Sequence, residues 1–190
     1  IRTRSFWFIL LSGGLAGLGL SGFHSNLLPH YQDIGIPIAT ATSAIAVHGF
    51  CSLFARAIWG TLGEKFQTRY LLVVQTSLTG LSILLLLNTT NLPMLFLFAI
   101  TQGTSLGGHF ILLPLIVANY YGRAHLGSIN GFMRPFMTLT NAFGPFLIAG
   151  LYDIQSSYRL AFFLVMVAWF LSGIAVLPAK SPKSDLRNNR

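Results

Sequence analysis

Six uninterrupted apolar runs fill this chain, at about residues 6–28, 38–59, 70–88, 93–118, 128–150 and 158–178. Crossing about 30 Å of hydrocarbon takes roughly 20 residues at 1.5 Å each, so each run is long enough to span a bilayer. Lipid offers backbone N–H and C=O groups no partner, so segments this long close their hydrogen bonds internally as helices. The expectation is an all-α membrane protein with one six-helix bundle over 1–179 and a polar tail over 180–190. Composition agrees: 8% charged and 53% hydrophobic residues cannot cover a water-facing surface. Nineteen glycines suit helices that pack closely in lipid.

The charges orient the bundle. Arg2, Arg4, Lys65, Arg69, Arg123, Lys180, Lys183, Arg187 and Arg190 fall on one side of a six-span model, and Arg159 alone on the other. This asymmetry predicts that both termini are cytoplasmic; the plasma membrane is the expected location. Trp7, Tyr31, Trp59, Tyr70, Tyr120 and Tyr152 lie near segment ends, where aromatic belts form. The net charge of +8 is dispersed among segment ends rather than gathered on one face, so membrane lipid and not nucleic acid is the expected partner. One cysteine, Cys51, excludes an internal disulfide and reads as a packing residue. The sequon at Asn88 reads as a helix-ending turn rather than a glycan site. The chain opens on Ile1, and its first run is too long for a signal peptide; a piece of a longer chain is expected.

Two basic residues remain inside the runs, Arg56 and Arg134, while every acid (Asp33, Glu64, Asp153 and Asp185) lies in a connection or the tail. A short pattern also recurs. "GFHSNLLP" at 22–29 and "GGHFILLP" at 107–114 share Gly22/Gly107, His24/His109 and Pro29/Pro114 at an offset of 85. A weaker echo pairs "GTLGEKFQTR" at 60–69 with "GLYDIQSSYR" at 150–159 at an offset of 90. Together they predict two three-helix units. An odd number of helices per unit makes the units inverted, as within each half of some transporters.

The stretch "GTLGEKFQTRYLL" resembles the loop signature of the major facilitator superfamily through Gly60, Leu62, Glu64, Lys65 and Arg69. Glu64 stands for its aspartate, Gln67 for a glycine and Thr68 for an arginine. "FARAIWG" and "ANYYGRAHLGSINGF" with "NAFGPFLIAGLYD" resemble the monocarboxylate-porter-like branch, which carries an arginine where Arg56 stands. Ser52 occupies the place of that branch's aspartate and Ala57 that of its proline, so a proton-carrying partner is missing from this region. The resemblance implies the C-terminal six-helix half of a facilitator fold. It also implies a missing N-terminal half as partner and a small organic anion as substrate, moved by alternating access with protons or anion exchange as driving force.

Candidate residues follow from this. A guanidinium is always charged and its planar fork matches a carboxylate with two parallel hydrogen bonds, which makes Arg56 the leading substrate contact. The competing reading is an arginine that snorkels to headgroups from the inner end of its span. Arg134 has the same two readings. His109, His24, Gln102 and Asn141 are candidate polar wall residues, with His48 and Asn26 beside them; each is equally readable as an interhelix packing residue. Gly60, Glu64, Lys65 and Arg69 are candidate gating residues, the charges as a latch, and Gly131, Gly144 and Pro145 permit close contacts and bends. No enzyme is expected: no H-E-x-x-H is present and no acid lies in any span to serve as base or metal ligand. No cofactor or metal is expected either. A membrane scaffold or receptor, or a carrier of a neutral or cationic solute, is the alternative.

Overall fold

The computed structural model describes residues 3–122 and 126–179. These fold into six helices and, among the described residues, no strand: α1 Arg4–Asp33, α2 Ile38–Lys65, α3 Thr68–Leu87, α4 Leu92–Tyr121, α5 Leu126–Gln155 and α6 Arg159–Val176. The helices outrun the hydrophobic runs at most ends. α1, α4 and α5 have 30 residues each, about 45 Å at 1.5 Å per residue. Hydropathy marks where a chain leaves lipid, whereas helical hydrogen bonding carries on into the polar flank. The charge break expected over 60–69 therefore shrinks to 66–67, and Gly60, Glu64 and Lys65 lie in α2 itself. The expected tail and the basic residues at 2, 123 and beyond 179 lie outside the described residues.

Local chemistry sets several ends. After α1 the chain turns at Gly35 (φ 79°), and α4 stops at Gly122 (φ 82°), a conformation that glycine adopts without strain. Asn91 caps α4, its side-chain oxygen accepting from the Met94 N–H at 3.0 Å, with a proline in the first turn. Asn88 closes α3 as its C-cap.

Consecutive helices joined by short connections run antiparallel, but apart from α3 and α4 neighbours in sequence are not the main neighbours in space. α1 packs on α5 and α6, α4 packs on α2 and α3, and α3 packs on α6; the sequential pairs α1–α2, α2–α3, α4–α5 and α5–α6 touch only lightly. Exchanging α1 with α4, α2 with α5 and α3 with α6 maps this set of contacts onto itself. The bundle is an inverted repeat of two three-helix units. Both sequence echoes fall on equivalent places. Gly22 in α1 sits against Gly144 of α5, and Gly107 in α4 sits against Ser52 and Ala55 of α2.

The core forms two apolar clusters stacked along the helices. One centres on Phe23, Phe98, Phe162 and Trp169, the other on Phe6, Leu72, Leu112 and Ile116. Between them, at mid-depth of α1, α3, α4 and α6, lies a buried polar layer. Ser12 and Ser172 hydrogen-bond at 2.9 Å. Thr79 and Ser105 hydrogen-bond at 2.9 Å, Ser82 donates to the Gln102 side-chain oxygen, and the Gln75 amide donates to Thr79. Hydroxyls in lipid must find partners, and these find them across helix seams.

Candidate functional site

Among the described residues five helices are long and apolar enough to cross a membrane; α5, 30 residues long, is not among them. Its surface explains this. Met133, Gly144 and Ile148 are buried. Phe132, Phe136, Leu139, Phe143 and Phe146 form an exposed apolar stripe. Asn130, Arg134, Thr138 and Asn141, spaced by four, four and three residues, make a polar stripe on the opposite flank. A helix held inside a membrane bundle with such a stripe borders a polar space.

α2 is built the same way. Ala44, His48, Ser52, Ala55 and Trp59 are buried, and Phe50, Phe54 and Ile58 form its exposed apolar stripe. Arg56 is exposed and turned away from that stripe. Its guanidinium carbon lies 5.0 Å from the centroid of the Phe110 ring on α4, a cation–π contact that holds the fork without using its donors. α2 continues to Lys65, more than two turns past Arg56, so this arginine is not at a helix end. α2 and α5 are equivalent under the repeat, so Arg56 and Arg134 occupy like flanks of two helices that border the central α1 and α4. The two helices do not pack on each other, and the structure does not bring the two arginines together.

The other predicted residues scatter. His24 is half-buried, with Nδ1 2.7 Å from the Leu20 carbonyl and Nε2 3.5 Å from His48 Nε2. His109 is buried, its ring edge-on to Trp169 at 5.3 Å between centroids, and its Nδ1 has no partner. Gln102 is fully buried in the polar layer, so the structure places it against α3 rather than at an open wall. Asn141 donates to the Met137 carbonyl at 2.8 Å and lies against Gly17 of α1. Asn26 donates to the Gly22 carbonyl at 2.9 Å.

Of the candidate gating residues, Glu64 and Lys65 are exposed on the last turn of α2. Arg69 turns instead to α6: it donates to the Leu177 and Ala179 carbonyls at 3.5 and 3.4 Å and to the Tyr70 hydroxyl at 2.9 Å. A cation on the carbonyl end of a helix is favoured by the helix dipole. Tyr120 donates to the same Ala179 carbonyl at 2.9 Å, and Asn119 to the Thr68 hydroxyl at 2.8 Å. These contacts fasten α3, α4 and α6 at one end of the bundle. Gly60 has open space where a side chain would lie.

Two features were missed from sequence. Phe110 reads as one more apolar residue, and only its position across from Arg56 distinguishes it. Gln75, Thr79 and Ser82 are spaced for one helix face, which is a readable signal, but Thr76 and Ser77 beside Gln75 spread polar residues round the helix and obscure it.

Comparison with known proteins fits this architecture. Residues 7–190 match the family model described as Major Facilitator Superfamily. The chain is 24% identical over 192 residues to the efflux pump dotC of Dothistroma septosporum, covering 94% of this chain and 32% of that protein. It is 27% identical over 173 residues to the MFS-type transporter clz4 of Cochliobolus lunatus, covering 87% of this chain and 30% of that protein. The chain thus spans about a third of the length of the curated relatives it matches. With the match to the family model covering nearly its whole length, the chain belongs to the major facilitator superfamily.

Proposed function

We propose that this chain is one six-helix half, the C-terminal one, of a secondary transporter that moves a small organic anion across the plasma membrane by alternating access. The carrying observation is Arg56, exposed on the flank of α2 away from its aromatic stripe and stacked on Phe110, with its hydrogen-bonding fork unspent among the described residues. The acids of the sequence stand at helix ends or in the tail, so a permanent cation inside the bundle finds its partner in a bound anion. A monocarboxylate-like group fits the guanidinium fork with two parallel hydrogen bonds. Arg134, His24, His109 and Asn141 contribute polar wall, and Gln102 supports α4 from behind. The second half, on a segment outside this chain, closes the site opposite α1, α2, α4 and α5.

Coupling to protons or to a counter-anion supplies the gradient, and both termini face the cytoplasm. One relative, named as an efflux pump, supports export as the working direction. The Glu64–Lys65–Arg69 group lies at the end of the bundle proposed as cytoplasmic, where a gate would close. The test is Arg56→Lys in the complete protein, reconstituted in vesicles and assayed with labelled monocarboxylates. Lysine keeps the charge and loses the fork, so transport should fall while expression stays normal. Transport equal to that of the unaltered protein would remove the bidentate argument. A scaffold or receptor would show no flux in either form.

A further inference from the structure

We propose that Gln75 positions His109 through one ordered water held in the α3–α4 seam, so that the imidazole keeps its proton on Nδ1 and turns a bare Nε2 to the transport path. The use of that nitrogen in transport rests on the reading of His109 as a wall residue of the substrate path. The water site itself needs only the seam.

The seam is a ladder between two antiparallel helices. Ser82 donates to the Gln102 side-chain oxygen, and Thr79 and Ser105 share a hydrogen bond at 2.9 Å. Carrying the same register one turn on brings Gln75 level with His109, and a further turn brings Leu72 level with Leu112. Steps of three and four residues keep these positions on one face of each helix. Two rungs are closed by hydrogen bonds, and the last pairs two leucines buried in one apolar cluster. The rung between them is open. Gln75 is fully buried and His109 7% exposed, and the Gln75 side-chain oxygen and His109 Nδ1 are both buried without a partner.

The chemistry of the two atoms is complementary. The Gln75 amide nitrogen is already committed to Thr79 at 3.0 Å, which leaves an oxygen that can only accept. Opposite an acceptor, His109 Nδ1 must be the donor. No direct hydrogen bond joins them, so a molecule that accepts from one and donates to the other completes the rung. Water does both, and buried water characteristically bridges polar groups that would otherwise go unmatched. The Gln102 amide nitrogen, also buried without a partner, cannot serve instead. It lies two rungs from Gln75, about 10 Å along α3 at 1.5 Å per residue. The repeat supplies a contrast: His24, the counterpart of His109, satisfies its Nδ1 on its own helix at the Leu20 carbonyl, whereas His109 leaves its own free for a partner on α3.

With Nδ1–H spent on the water, the lone pair of the neutral ring sits on Nε2. Nε2 is not among the buried unpartnered atoms, so the little exposure the ring keeps reaches that nitrogen. Gln75 thereby sets what His109 offers a substrate: an acceptor for a hydroxyl or an undissociated acid, not a donor to a carboxylate.

The experiment uses the complete protein in lipid bilayers, isotope-labelled at the histidine ring nitrogens and read by solid-state NMR at about pH 8, above the ordinary histidine range. Protonated and bare ring nitrogens resonate far apart, and the spectrum of His109→Asn identifies the His109 signals by difference. His109 should carry its proton on Nδ1. Gln75→Met, similar in length without polar atoms, should lose that preference and give a mixture of tautomers, and Gln75→Glu, which keeps an acceptor oxygen, should restore it. A proton on Nε2 in the unaltered protein, or one still confined to Nδ1 in Gln75→Met, would overturn the assignment. If Gln75→Met does not fold, magnetisation transfer from water to the Nδ1 proton of the unaltered protein decides: transfer supports the bridge and its absence overturns it. Unchanged transport in Arg56→Lys would remove the anion reading and leave these spectra as they are, so the two failures are distinct.

Discussion

At Gly22 the backbones of α1 and α5 meet without side chains between them. A Cβ built on Gly22 lies 2.7 Å from both the carbonyl carbon and the oxygen of Gly144 and 3.0 Å from Ile148 Cδ1. Peptide atoms cannot rotate aside as a flexible side chain can, so Gly22→Ala must push the two helices apart. Overpacking of this kind costs about 1–3 kcal/mol. Alanine recovers roughly 0.5–1 kcal/mol of helix propensity relative to glycine. The net expectation is a loss of about 1 kcal/mol. Gly49→Ala is the matched control: nothing lies within 4 Å of its Cβ position, so only the propensity gain applies. The two substitutions, chemically identical, should shift the thermal unfolding midpoint of the complete protein in detergent in opposite directions. Equal midpoints for the two variants would refute the packing geometry. The repeat supplies a second trial in Gly107→Ala, whose Cβ lies 2.5 Å from the Ser52 carbonyl oxygen and 2.9 Å from Ala55 Cβ; it should behave as Gly22→Ala does.

Other outcomes are expected elsewhere. Arg56→Lys lowers transport in vesicles with unchanged expression, whereas Phe110→Leu, which removes the ring under the guanidinium, lowers it less because the fork survives. Ser12→Ala and Ser172→Ala, singly and together, form a double-mutant cycle across the α1–α6 seam; denaturation in detergent should give a coupling near 0.6 kcal/mol and below about 1.7. Arg69→Gln removes the cation from the α6 carbonyls and should cost about 0.3–1 kcal/mol of stability by the same measurement. A change in transport turnover with no change in stability would instead favour the latch reading of that residue.

Much of the fold was legible because lipid allows so few solutions. Run lengths gave six helices, and the echoes at 22–29 and 107–114 gave the inverted repeat, since glycines at helix contacts are constrained by the partner backbone. Helix ends were less legible: Glu64 and Lys65 look like loop charges because hydropathy does not report helical hydrogen bonding. The candidate site was half legible. A lone arginine in an apolar run announces itself, but its partner Phe110 lies 54 residues on and differs in no local way from its neighbours. Gln102 and His109 leave both a wall and an interhelix reading open from sequence and are buried in the structure; the side of a helix that meets α3 or α6 depends on partners that no local pattern names. The convergence of His24 and His48 arises from where two helices cross, which spacing along the chain does not encode.

The swapped packing has a consequence for biogenesis. A chain inserted from its N-terminus delivers α1, α2 and α3 first, yet α1 finds its main neighbours in α5 and α6, and α2 finds its own in α4. The first three helices therefore enter the bilayer with their glycine contact faces and Ser12 still unmatched, and wait for later helices. α2 and α3 can pair with α4 as soon as it arrives, but α1 closes only with the last two helices, a slow, long-range pairing. A chain cut short after α4 leaves α1 without either main neighbour and Ser12 without its partner on α6.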